Sequence, residues 1–212
     1  MTPPKERRAT PEDPLRVAVL VSGSGGNLQA LLDRQAGSSY RVVVVVANVA
    51  GAFALTRAEK AGVAAVVEGH KGLSREEHEA RVQGHLEEHR VELVVLAGYM
   101  RVLSSWLVSR WARRIVNVHP AILPAFPGMH GAKQALDHGC RIAGCTVHLV
   151  DDGVDTGPIL LQAAVPIFDG DDEASLQARI QIEEHRLLPD AVEAFAAGRV
   201  VDVDGRIRVR SG

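Results

Sequence analysis

Short apolar runs and longer amphipathic stretches take turns along the chain. Residues 16–22, RVAVLVS, form a short apolar run of the kind that makes a buried strand. From Asn27 the period lengthens, and Leu28, Leu31 and Leu32 share one face at helical spacing. YRVVVVVA, residues 40–47, is rich in β-branched residues and does not alternate. Burial on both faces, as in a central parallel strand, explains such a run. Residues 53–61 predict a helix stopped at Gly62, and residues 63–67 a further strand. Ser74 with Glu77 is a capping-box signature that opens a charged helix running to Arg90. Residues 91–98 predict a strand, 103–113 a helix, and 114–119 another strand. The order β-α-β-α-β-α-β-α-β belongs to a doubly wound α/β sheet, Rossmann-like and mostly parallel.

After Pro120 the pattern changes. PAILPAFPGMH holds three prolines and a glycine and predicts a long loop, followed by a short helix over residues 131–138. Two extended runs, 141–151 and 158–168, are joined by the turn sequence DGVDTG, so an antiparallel pair is expected as an extension of the sheet. Asp172 can cap a last long helix that ends at Gly198. VVDVDGRIRV closes the chain as a small hairpin with an Asp-Gly turn.

The 212 residues suffice for one α/β domain, expected over residues 16–212. Residues 1–15, polar and proline-rich, lack the apolar centre of a signal peptide and are expected to be a disordered extension. A net charge of −2 gives no strong attraction to nucleic acid or to an anionic membrane, so any anion must be held locally. The longest apolar run, residues 42–47, is far too short to span a bilayer. Two cysteines make no disulfide framework, and a reduced, cytoplasmic protein is expected. His138, Cys140, Cys145 and His148 do not have metal-ligand spacing, and no metal is expected.

The loop LVSGSGGNLQALL runs from strand to helix. It fails the dinucleotide fingerprint, because Leu28 stands at the third glycine position and Asn48, not an acid, ends the second strand. No G-K-[ST] follows, so the ATP-binding loop pattern fails too. The amides of Gly25, Gly26 and Asn27 would still point out from a helix start, which suits a single phosphate monoester. A tight turn that needs glycine only for its backbone angles would carry the same residues.

NVHP puts Asn117 and His119 two residues apart at a strand end, hence on one face. An amide can donate to an oxyanion and an imidazole can carry a proton. Asp155, 36 residues after His119, could fix the tautomer of that ring, and Thr146 and His148 share a face on the preceding strand and could support the same site. Taken separately, these residues are equally compatible with a strand end and a turn. No G-x-S-x-G elbow is present and nothing marks either cysteine as a nucleophile. Such a group suits direct attack on a carbonyl by the substrate's own nucleophile.

Five segments, in order, carry a resemblance: SGSGGNLQAL, LAGYMRVL, NVHPAILPAFPGMHG, GCTVHLVDDGVDTGPIL and IEEHRLLP. Together they resemble the folate-dependent formyltransferases of purine biosynthesis, the phosphoribosylglycinamide formyltransferase family, over residues 16–198. The resemblance implies the formyltransferase fold, with a cleft at the strand ends, and a formyl transfer from 10-formyltetrahydrofolate to glycinamide ribonucleotide without metal. It implies a catalytic group of Asn117, His119 and Asp155. It implies a ribonucleotide site of Gly25, Gly26, Asn27, Gln181 and Glu184, with glycine at 26 where the family often has serine. It implies a folate site of Arg75, Met100, Arg101, Val102, Leu103, Asn117, Val150, Asp152 and Val154. Arg75 would face the glutamate tail. At Asp151 and Gly153 the sequence departs from related enzymes, so backbone contacts are the safer expectation there. The expected partners are small molecules, and the expected state is a monomer or homodimer. The alternative within the resemblance is a formyltetrahydrofolate hydrolase. The short stretch before the first strand is expected to disfavour it, and the end of the chain at Gly212 a transfer RNA formyltransferase. A phosphate-binding module without catalysis would explain the glycine loop but not NVHP with DDGVDTG.

Overall fold

A computed structural model describes residues 8–204 and 206–210. The elements follow in the order β1 (Leu15–Val21), α1 (Gly26–Arg34), β2 (Tyr40–Ala47), α2 (Phe53–Lys60), β3 (Ala64–Val67), α3 (Arg75–Glu88), β4 (Leu93–Leu96), α4 (Ser105–Arg110) and β5 (Ile115–His119). Then come α5 (Gly131–Asp137), β6 (Ile142–Leu149), β7 (Ile159–Pro166), α6 (Glu173–Ala196), β8 (Val200–Val203) and β9 (Arg206–Val209). The main sheet has seven strands in the order β3-β2-β1-β4-β5-β6-β7. β1 to β5 run parallel, while β6 and β7 extend the sheet antiparallel. This is the Rossmann-like, mostly parallel architecture that the periodicity predicts.

The chain reverses its winding direction between β1 and β4, neighbours in space. Their carboxyl ends therefore open a crevice that no crossover helix covers, the usual place for a ligand in an open α/β sheet. Core residues divide by sheet face. Val17, Val19 and Val21 of β1 pack toward a layer that includes α1, α5 and α6. Ala18 and Leu20 pack toward α3 and α4 on the other side. The valine run of β2 serves both layers. A register irregularity opposite Val17 and Ala18 leaves Val43 without a β1 partner. Val42 and Val45 then join the first layer, and Val44 and Val46 the second.

Predicted strands and helices overrun the observed ones mainly where apolar residues continue beyond the ladder. Residues 91–98 give only Leu93–Leu96 as strand, with Val91 and Ala97 buried outside it. α4 is six residues long, because Ser104 caps it and Arg113 turns left-handed after it. The capping box at Ser74 and Glu77 forms as the sequence predicts.

The extension over residues 1–15 differs from expectation where it is described. Residues 1–7 lie outside the described residues, but Ala9 is buried and donates its N–H to the Ala196 carbonyl at 2.9 Å, and Leu15 opens β1. A short alanine over the end of α6 buries its methyl at little entropic cost, a signal that composition does not carry. In the closing hairpin β8 pairs antiparallel with β9 and Asp204 adopts φ 52°, while Gly205 of its turn lies outside the described residues.

Leu28 anchors α1 beneath the glycine loop and is wholly buried. Leu28→Ala is expected to cost about 2 to 5 kcal/mol of stability, through lost burial and an unfilled cavity. Guanidinium unfolding of the two proteins measures the difference, and an unchanged slope would show that only the native state was affected.

Candidate active site

The pairing register of β5 and β6 builds the polar cluster. Asn117 stands opposite His148 and His119 opposite Thr146. The Asn117 Nδ2 amide donates to His148 Nε2 at 3.1 Å, while His148 Nδ1 lies 2.9 Å from the Leu149 carbonyl and serves as the donor there. Asp155 reaches the same place from the turn after β6. Its Oδ1 lies 3.5 Å from both Asn117 Nδ2 and His148 Nε2. Its Oδ2 lies 3.3 Å from His119 Nδ1 and accepts the Gly128 N–H at 2.8 Å. His119 donates from Nε2 to the Phe126 carbonyl at 2.8 Å and is 4% exposed.

The turn explains how Asp155 arrives there. Asp151 accepts from the Gly153 N–H at 3.1 Å and the Thr156 hydroxyl at 2.7 Å, which folds residues 151–157 on themselves. A Cβ at Gly153 would strike Thr156 Oγ1, and one at Gly157 the Leu149 carbonyl, so both glycines are steric requirements. Asp155 itself adopts φ 55°, a left-handed conformation that aspartate tolerates better than most residues. Burial favours the neutral acid at Asp155. Contact with His148, the hydrogen bond from the Gly128 N–H and the nearness of His119 outweigh burial and hold the carboxyl below its ordinary range.

Thr146 acts at one remove. Its hydroxyl donates to the Ala121 carbonyl at 2.7 Å and accepts from the Leu123 N–H at 3.0 Å, and Gln162 donates to the Leu123 carbonyl at 2.8 Å. Thr146 thus fixes the loop over residues 120–130, whose Leu123–Pro124 peptide is cis, rather than touching the catalytic group. Its support of the site runs through that loop, while its register partner His119 turns to Phe126 and Asp155.

The glycine loop lies at the carboxyl end of β1. Gly25 caps α1 at φ 75° with no side-chain cap, which leaves the first amides of the helix without a side-chain acceptor. A Cβ on Gly25 would lie 2.7 Å from that of Ala54, so glycine is required there for conformation and for space. Behind the loop, Asn27 Nδ2 donates to Glu184 Oε2 at 2.9 Å. Glu184 is 5% exposed, and burial raises its pKa against that one hydrogen bond. Asn27 Oδ1 is buried with no hydrogen-bond partner among the described residues. Glu183, next to Glu184, pairs instead with Arg186 at 2.8 Å, and Gln181 is exposed one turn earlier.

The remaining candidates follow β4 and β6 or open α3. Met100 and Val102 are 69% and 57% exposed, Leu103 and Val150 pack on one shared cluster, and Asp152 and Val154 are exposed on the turn. Arg101 is half-buried, and Arg75 is exposed at the start of α3. The thiol of Cys145 is buried, and burial followed by Glu184 pushes its pKa to about 12, which makes it a core residue and not a nucleophile. Among the described residues no helix is long and apolar enough to cross a membrane. Sequence reasoning missed the Phe126 carbonyl and the Gly128 amide. Backbone groups in a loop without periodicity carry no signature.

An open α/β sheet of this kind defines a group-transfer enzyme when its strand ends gather groups fit for an oxyanion and a proton beside a seat for an anion. The sequence pattern of the formyl transferase family matches residues 15–192. The chain is 44% identical over 197 residues to the phosphoribosylglycinamide formyltransferase of Mycobacterium tuberculosis, covering 92% of each. It is 50% identical over 188 residues to the trifunctional purine biosynthetic protein adenosine-3 of Drosophila pseudoobscura pseudoobscura. That match covers 86% of this chain and spans only 14% of the length of that relative. The crystal structure of glycinamide ribonucleotide transformylase 1 from Symbiobacterium toebii aligns with a TM-score of 0.90 and 46% identity, covering 93% of this chain and 95% of that one. The chain belongs to the formyl transferase family.

The depressed Asp155 carboxyl makes a pH prediction. A folded pKa below the unfolded value adds stability that is fully present above the unfolded value, near 3.8, and is lost as pH falls through the folded value. Asp155→Asn should therefore be less stable than the native protein at pH 6, with the gap closing as pH falls below about 4. Urea unfolding across that range would show it, and a gap independent of pH would contradict the assignment.

Proposed function

We propose that this protein transfers the formyl group of 10-formyltetrahydrofolate to the amine of N1-(5-phospho-D-ribosyl)glycinamide, giving the N-formyl product and tetrahydrofolate in de novo purine (IMP) synthesis. The observation that carries this proposal is the meeting of Asp155 with Asn117, His119 and His148 at one strand end. Residues 16–212 act in it as a single catalytic domain, on small molecules, in the cytoplasm, without metal.

The amine of the ribonucleotide attacks the formyl carbon. As the new C–N bond forms, the carbonyl electron pair moves to oxygen. The Asn117 amide receives that oxyanion by giving up its long 3.5 Å contact to Asp155. His119, fixed between Asp155 and the Phe126 carbonyl, stands beside Asn117 and helps to stabilise that oxyanion. The ionised Asp155 stabilises the ammonium that develops on the attacking nitrogen. A proton passes from that nitrogen, through water beside Asp155, to folate N10 as the C–N10 bond breaks. No covalent intermediate with the protein is needed. Holding two substrates in line supplies about 7 to 11 kcal/mol of the barrier reduction.

The ribonucleotide phosphate takes the free amides of Gly25, Gly26 and Asn27 at the start of α1. With glycine at 26, backbone donors replace a hydroxyl. Glu184 and the unpaired Asn27 Oδ1 accept from the glycinamide amine or ribose, with Gln181 at the rim. The folate lies along Met100, Arg101, Val102 and Leu103, opposite Val150, Asp152 and Val154. Arg75 takes the charge of its glutamate tail.

Asn117→Ala, His119→Ala and Asp155→Ala should each lower kcat by about a hundredfold or more. Folate binding should persist, since these groups act mainly in the transition state. Near-normal turnover by the His119 variant would sink the catalytic assignment. Folate turnover that glycinamide ribonucleotide fails to accelerate in the native enzyme would instead identify a hydrolase.

Glu184→Ala should lower kcat/KM for the ribonucleotide by about 1.5 to 3 kcal/mol, the range for a hydrogen bond to a charged group. Glu183→Ala, which removes only an exposed pair with Arg186, should be close to silent. Steady-state kinetics with each substrate varied in turn would separate the two. Equal losses would move the ribonucleotide site away from α6.

A further inference from the structure

The segment formed by residues 100–103 follows β4 and carries no regular structure. It is nonetheless pinned at both ends by side chains from other elements. At its start, the Met100 N–H donates to Ser22 Oγ at 2.8 Å. Ser22 in turn donates to Asn48 Oδ1 at 2.7 Å, and its own N–H meets the Gly98 carbonyl at 3.1 Å. Asn48 is buried at the end of β2. Just past the segment, Ser104 gives both its N–H, at 2.8 Å, and its hydroxyl to the two oxygens of Glu79. Glu79 is 2% exposed on α3. A carboxylate is placed in such a buried position only where its partners are strong and fixed.

Between the pins, nothing among the described residues hydrogen-bonds to the backbone of Arg101, Val102 or Leu103. These donors and acceptors are held in direction yet left free. Such a strip pairs with the edge of a flat heterocycle much as one strand pairs with another.

We infer that Ser22 and Glu79 are positioning residues that hold residues 100–103 as a rigid strap for the pterin ring of the folate. The inference rests on the formyl donor proposed above. Ser22, just after β1, ties the start of the strap to Asn48 at the end of β2. Glu79 lies four residues after Arg75 on α3, so one helix carries both the strap's anchor and the cation for the folate tail.

The test is calorimetric titration with 5-deazatetrahydrofolate, a folate that carries no formyl group, in the absence of ribonucleotide. Ser22→Ala and Glu79→Gln should each weaken binding by about tenfold or more, equivalent to one lost hydrogen bond with a buried partner left unpaired. Ser22→Thr, which keeps the hydroxyl, should restore it. KM for the ribonucleotide should stay within about twofold in every variant, because the strap contacts only the folate. Gln83→Leu is the control. It removes a buried 2.7 Å hydrogen bond with Trp111 on the same helix, away from the strap, and should lower stability with folate affinity unchanged. Ser22→Ala alters a small, half-buried side chain and carries the test if Glu79→Gln does not fold. Folded variants that bind the analogue as tightly as the native protein would overturn the strap alone. So would parallel losses for both substrates, which would mark a general loosening of the site. A native protein that binds the ribonucleotide but not the analogue would overturn the formyl-donor proposal and the strap with it.

Discussion

One carboxylate organises the catalytic end of this molecule. Asp155 is drawn largely out of water, in a left-handed backbone conformation that has its own cost, and it persists because four groups converge on it. They come from three separate parts of the chain. Asn117 and His119 end β5, His148 lies on β6, and the Gly128 amide belongs to the long loop. Remove the charge, and those groups lose the acceptor that fixes their directions. The antiparallel register of β5 and β6 does the rest. It sets Asn117 opposite His148, and a slip by one residue would send that imidazole to the other face of the sheet.

The second seat follows a different logic. Around the glycine loop the chain supplies dipoles and unpaired groups, together with the Arg57 guanidinium, which donates to the Ser24 carbonyl at 2.8 Å. α1 begins without a side-chain cap, and behind it a buried glutamate and a half-satisfied asparagine face each other. Burial raises the pKa of Glu184, while two imidazoles and the Gly128 amide outweigh burial and lower that of Asp155. Two carboxyls in one protein are thus driven apart by their surroundings. The ionised form is favoured at Asp155 and the neutral form at Glu184. Glu184 stands on α6, which packs into the core layer that also holds α1.

Much of this was written in the order of residues. Periodicity determined the doubly wound sheet, because a strand buried on both faces must be apolar throughout, as residues 42–47 are. Glycines marked the loop, and at Gly25 a left-handed angle combines with an Ala54 too close for any Cβ. The two-residue spacing of Asn117 and His119 placed them on one face. What sequence could not determine was which groups would meet across long separations. The Phe126 carbonyl on His119, the Gly128 amide on Asp155 and the grip of Glu79 on Ser104 depend on loop paths and helix packing. Backbone groups look alike in every residue, and a buried glutamate on a charged helix looks like an exposed one. The same blindness led the segment around Ala9 to be expected free, when its burial comes from the end of α6 more than 180 residues away. Local pattern sets which face a residue takes. Only the closed tertiary structure decides what stands on the other side.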